Sequence, residues 1–118
     1  MQYVLLIYED EAVATDWSPA EQDAELGAWH AYSAELGQSG NLRSGEALLP
    51  VATATTVRGA SDGTIVSDGP FAETKEHLGG YFVIDVADLD EAIAWAGKMP
   101  HIPRGGTVEI RPVMVFES

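Results

Sequence analysis

The run "YVLLIY", residues 3–8, holds six apolar residues in succession. A strand that faced water on one side would alternate polar and apolar residues, so a strand built from this run has both faces covered. It reads as a central strand. The run "GGYFVIDV", residues 79–86, carries the same signature, with Phe82, Ile84 and Val86 on one alternation and Tyr81 and Val83 on the other. Two strands of this kind in one short chain call for a sheet with packing on both sides.

The segments between them supply the rest of the sheet and its helices. In "WSPAEQDAELGAWHAYSAELGQSG", residues 17–40, Ser18 has the makings of an N-cap, with Pro19 at the first helical position and Glu21 three residues after the cap. Leu26, Trp29, Ser33 and Leu36 recur at spacings of three and four with Tyr32 beside them, which predicts an apolar side facing the core, and Gly40 ends the helix. A second helix, "DLDEAIAWAGKM", is capped by Asp88 with Glu91 three residues on; it is expected to bury Leu89, Ile93 and Ala96 and to stop at Pro100. "NLRSGEALLP" reads as a strand whose Gly45 marks a bulge or a close backbone approach. The Thr- and Val-rich arms of residues 53–69 meet at Ser61-Asp62-Gly63, a β-hairpin signal. The closing "TVEIRPVMVF" sets Val108, Ile110, Met114 and Phe116 against Glu109 and Arg111, and Pro112 confines it to a sheet edge.

The order is strand, helix, strand, a hairpin excursion, then strand, helix, strand. It predicts an α+β ferredoxin-like sandwich with an inserted β-hairpin, the two doubly apolar strands in the centre. Both helices of such a sandwich lie on one face. The other apolar face needs a cover, and the expected cover is a second copy of the chain across a two-fold axis, forming a dimeric α+β barrel.

At 118 residues the chain is expected to be one domain spanning 1–118. It carries 19 Asp and Glu against 6 Lys and Arg, a formal net charge of −13, which repels phosphate backbones and argues against nucleic acid. The absence of cysteine excludes disulfides and thiolate chemistry. No apolar run reaches the roughly 20 residues a membrane span needs, and no secretion signal opens the chain, so a cytoplasmic protein is expected.

Four stretches, "MQYVLLIYEDEA", "SGEALLPVATATTVR", "SDGPFAETKEHLGGYFVIDVADLDEAIAWA" and "GGTVEIRPV", together resemble the YCII-related family, specifically its DGPF-motif branch. The resemblance implies a dimeric α+β barrel, a family without an established reaction, and a functional link to sigma factors of the extracytoplasmic-function type, beside which members are often encoded. It also implies kinship with muconolactone isomerase-like proteins. Shorter members have a His and an Asp proposed as an acid–base pair; the helical His falls here at Trp29, one place before His30, and one place turns a helical side chain by about 100°.

Among polar residues, the turn at Asp68-Gly69-Pro70 is expected to use the Asp68 carboxylate to bind its own backbone amides and Phe71 to anchor the loop in the core. Glu73, Lys75 and Glu76 form a charged cluster that either knits the loop to the sheet or places Asp68, Glu73 and Lys75 at a pocket mouth. His30 lies at the margin of the first helix's apolar side, His101 sits in a loop able to reach the barrel end, and His77 is expected to face solvent. Catalytic candidates are therefore His30, Asp68 and Glu73, and ligand-binding candidates Lys75, Tyr81, His101 and Arg111, the last also able to pair with Glu109. Scattered histidines lack ligand spacing, so neither metal nor cofactor is expected. No G-x-S-x-G elbow and no phosphate-loop pattern occurs. Three readings follow: a homodimeric small-ligand-binding or regulatory protein; a cofactor-free isomerase or lyase acting on a small organic acid, with His30 or His101 and Asp68 or Glu73 as proton carriers; and an interaction module.

Overall fold

A computed structural model describes residues 1–116. Strand β1 (Gln2–Glu9) leads into helix α1 (Pro19–Gln38) and β2 (Leu42–Ala47). The hairpin β3 (Thr55–Ala60) and β4 (Gly63–Asp68) follows, then β5 (His77–Asp85), helix α2 (Leu89–Gly97) and β6 (Thr107–Pro112). The main sheet is antiparallel in the order β2-β5-β1-β6, so the two doubly apolar runs are its centre; β3 and β4 form a separate two-stranded sheet.

Register sorts the side chains between faces. Tyr3 lies opposite Ile84 and Pro112, and Leu5 opposite Phe82 and Ile110. Tyr3, Leu5, Ile84 and Val86 form the core with Tyr32 and Leu36 of α1, Ala92 of α2 and Met99. Val4, Leu6 and Tyr8 of β1 and Tyr81 and Val83 of β5 belong to the opposite alternation, stay half-buried and lie outside that core. The chain is 19 Å thick against 49 and 48 Å in the other directions, room for one layer of strands and one of helices. Its radius of gyration of 16.4 Å exceeds the ~13.5 Å of a compact chain this long. A single chain thus forms an open sheet and not a closed barrel.

The α1 cap is as its residues require. Ser18 Oγ accepts from the Glu21 amide at 3.1 Å, and Glu21 Oε1 accepts from the Ser18 amide at 3.2 Å. Asp88 caps α2 by accepting from the Glu91 amide at 3.0 Å. The buried face of α2 meets the expectation at Ala96 and departs from it elsewhere: Leu89 and Ile93 are about half exposed, and Ala92 is buried in their place, with Trp95 half-buried. Packing through alanines brings the helix close, near enough for the Tyr32 hydroxyl to donate to the Trp95 carbonyl at 2.8 Å.

Two further expectations are corrected. β6 ends at Pro112, the Val113 amide makes one more bond to Gln2 O at 2.9 Å, and Met114 and Phe116 beyond it are exposed. Phe71 is 77% exposed and anchors nothing in the core. The loop is held instead by its backbone: Gly69, at φ 93°, donates its amide to Ala54 O at 2.7 Å and accepts from Thr56 Oγ1 at 2.7 Å, while Arg58 donates to the Phe71 carbonyl at 3.2 Å. The hairpin turns through Ser61-Asp62, with Ala60 opposite Gly63.

Candidate functional site

The sheet is interrupted where β1 meets β5: Ile7 pairs with Gly80 but Tyr8 with Leu78, leaving Gly79 as a bulge. Next to it the strands approach too closely for side chains. A Cβ on Gly80 would stand 2.7 Å from the Glu46 carbonyl oxygen, and one on Gly45 would stand 2.6 Å from Phe82 Cδ1. Gly45, Gly79 and Gly80 therefore leave a stretch of sheet without side chains, and a cavity of about 850 Å³ opens above it. Leu26, Trp29, His30 and Ser33 of α1 form one wall, the segment from Glu11 to Thr15 another, and Phe82, His77, His101 and Arg104 also line it.

His101 is the most deeply set polar group, only 1% exposed. Its ring lies 5.4 Å from the Trp29 ring, centre to centre. Nε2 stands 3.1 Å from the Thr107 carbonyl oxygen, which can only accept, so in the neutral ring Nε2 carries the proton and Nδ1 is a bare acceptor. Nδ1 has no partner, and neither has the buried Nδ1 of His77. The expectation that His77 faces solvent is thereby corrected; β5 begins at His77, opposite Glu9, and carries it into the cavity wall.

A charged partition closes one side. Arg104 grips Glu9 through Nε at 2.7 Å and Nη2 at 3.0 Å, and Glu25 through Nη1 at 2.8 Å and Nη2 at 2.7 Å. Trp29 Nε1 donates to Glu25 at 2.8 Å, and the guanidinium lies 5.0 Å from the Trp17 ring. Burial alone would push the Glu25 carboxyl up, but the hydrogen bonds and charge of Arg104 and the Trp29 donor together hold it below its ordinary value. For Arg104 burial acts downward, and the two carboxylates outweigh it and raise its affinity for the proton. On the far side of this partition a second hollow, about 410 Å³, is bordered by Glu9, Asp10, Lys75, Glu76 and Arg104.

Of the residues singled out from sequence, His30, Tyr81 and His101 border the main cavity; His30 is exposed at its mouth, and the Tyr81 side chain belongs to the opposite alternation of β5. Asp68 and Glu73 are exposed and lie outside the lining. Lys75 borders the smaller hollow, and Arg111 is exposed, 3.9 Å from Glu109. Trp29, His77, Glu9, Glu25 and Arg104 were not among the catalytic or ligand-binding candidates. Trp29 and Glu25 sit four apart on α1, a spacing that puts them on one side of the helix, but Arg104 comes from a loop 79 positions from Glu25. Among the described residues no three of His, Asp and Glu gather as metal ligands would, and no helix is long and apolar enough to cross a membrane.

A family model described as the YCII-related domain matches residues 1–117. An uncharacterized protein of Rhizobium meliloti (strain 1021) is 38% identical over 118 residues, which cover 99% of this chain and 95% of that protein.

Proposed function

The chain belongs to the YCII-related domain family, and from that premise we propose that it is a homodimeric protein that binds a small ligand in the cavity between α1 and the sheet. The observation that carries this reading is the pairing of a glycine-floored cavity with a lining histidine, His101, whose buried ring nitrogen Nδ1 has no hydrogen-bond partner. A buried acceptor without a partner costs about 1–3 kcal/mol, so a site that leaves one open gains when a donor arrives. A volume of about 850 Å³ is in the range of sites that take small molecules. The turn at Asp68-Gly69-Pro70-Phe71 supports placing the chain in the DGPF branch. Ligand binding is tested by thermal shift and Trp fluorescence with small aromatic and polar compounds; a flat response to all of them would sink the reading.

The dimer follows from the uncovered sheet face. Val4, Leu6, Tyr81 and Val83 there are half-buried, in a chain two layers thick. Four strands ~4.8 Å apart and about six residues long present on the order of 400 Å², roughly half of the ~800 Å² per partner that a stable interface buries. The hairpin supplies more: Val57 and Val66 lie opposite one another and are both 64% exposed, and Ile65 is 56% exposed. An isolated two-stranded hairpin is marginally stable at best, so packing on a second copy would also account for its persistence. Sedimentation at micromolar concentration is expected to give a dimer, and Leu6→Lys, which sets a charge in the middle of the uncovered face, a monomer. A monomeric wild-type protein would overturn the dimer.

A second reading, a cofactor-free enzyme working by acid–base chemistry, is favoured by one observation: His101, whose buried Nδ1 has no hydrogen-bond partner, belongs to the lining of the cavity. His30 is the group at the mouth that could exchange protons with water.

A further inference from the structure

Taking the ligand-binding reading as its basis, we infer that the cavity takes a small flat molecule that is neutral or cationic and offers an O–H or N–H donor, and that it rejects anions. The charge around the cavity is the first ground. Among the described residues Arg104 is the only Lys or Arg in the lining, and its guanidinium already makes four hydrogen bonds to Glu9 and Glu25. Two carboxylates thus surround one cation, and Glu11 adds a third at the wall, where it accepts from the Val51 amide at 2.9 Å. An incoming carboxylate finds no free guanidinium and meets a negative field that the whole chain, at −13, reinforces. The cations that would suit an organic acid lie elsewhere, Lys75 at the smaller hollow and Arg111 beside Glu109.

The second ground is the hydrogen-bonding sense of His101. With Nε2 committed to the Thr107 carbonyl, Nδ1 of the neutral ring can only accept, and a carboxylate, itself only an acceptor, cannot satisfy it. A hydroxyl or an ammonium can, once the ring turns enough to bring the buried Nδ1 to the cavity surface. The third is shape: the Trp29 indole, the Phe82 ring and the glycine floor bound a space suited to a flat apolar body.

Three probes of one skeleton separate these requirements: benzyl alcohol, benzylamine and benzoate, titrated into the full chain with Trp fluorescence and thermal shift as readouts. Benzylamine and benzyl alcohol are expected to bind, and benzylamine at least about fivefold tighter than benzoate at low salt, the gap narrowing as salt is raised. Glu11→Gln keeps the acceptor for the Val51 amide and removes the charge at an exposed position; it should weaken benzylamine about twofold relative to benzyl alcohol and improve benzoate. His101→Phe keeps a ring of similar size and should weaken benzyl alcohol, with a thermal melt confirming that the variant folds. Benzoate binding as tightly as benzylamine, or a benzyl alcohol affinity untouched in a folded His101→Phe protein, overturns the ligand class while leaving a binding cavity in place. Silence from all three probes overturns both the ligand class and the ligand-binding reading beneath it.

Discussion

Gly106→Ala is expected to destabilise the protein by about 2–3 kcal/mol, at the upper end of what overpacking a core costs. The added Cβ would stand 2.1 Å from His101 Cδ2, 2.6 Å from its Cγ and 2.7 Å from its carbonyl oxygen. Rotating the imidazole away relieves the first two clashes only. The third is against the backbone of the turn that closes between residues 101 and 106, where the Gly106 amide donates to that same His101 carbonyl at 2.9 Å. The turn must open, and with it go the Nε2 contact to Thr107 and the orientation of the ring against Trp29. In a chain of this size the loss lowers the melting temperature by roughly 10 °C. Gly37→Ala is the matched control: a Cβ there meets nothing within 4 Å, and the position is helical, so it should be neutral or stabilise by up to about 1 kcal/mol. Urea denaturation of both variants checks the pair. A Gly106→Ala protein as stable as wild type would mean that His101 is not packed against that turn.

Where one residue and its neighbours in sequence settle the matter, the fold was legible. The unbroken apolar runs at 3–8 and 81–84 placed β1 and β5 at the centre, Ser18 with Glu21 placed the start of α1, and Pro112 placed β6 at an edge. The α2 face was read correctly at Ala96 but misread at Leu89 and Ile93, because hydropathy favours those two, whereas distance of approach favours Ala92. Phe71 was misread for a related reason: a large ring next to a turn suggests an anchor, but the backbone bonds of Gly69 already hold the loop. The cavity depends on what is missing. Gly45, Gly79 and Gly80 are visible as glycines, but only the β2-β5 register brings them under one helix. The partition is assembled from Glu9, Glu25 and Arg104, which lie on a strand, a helix and a loop, and no local spacing announces such a set.

Removing the cation from that partition gives the second large effect. Arg104→Met preserves much of the side-chain volume but leaves Glu9 and Glu25 facing one another, each about three-quarters buried and neither with a counter-charge. Breaking a fully buried pair from one side costs about 3–5 kcal/mol, and the remaining exposure of these groups reduces this to about 2–3 kcal/mol at neutral pH. The sign of the pH dependence separates this cause from simple loss of packing. In the wild-type protein the Glu25 carboxyl is held below its ordinary value of 4.5, so its contribution is fully present above that value and is lost as the pH falls through the depressed one. In Arg104→Met the burial that Arg104 offsets acts alone, and the two carboxylates repel, so both effects raise the carboxyl above its ordinary value. Its penalty is then largest at neutral pH and shrinks on acidification. Between pH 7 and pH 5 the wild-type protein should hold its stability while the variant gains, and urea titrations at the two pH values measure the difference. A variant destabilised equally at both would show that Arg104 matters for its contact with Trp17 rather than for its charge. Adding Glu9→Gln to the variant removes the repulsion without acid, so it should recover part of the loss at pH 7 and flatten the dependence, an outcome that lost packing alone does not produce.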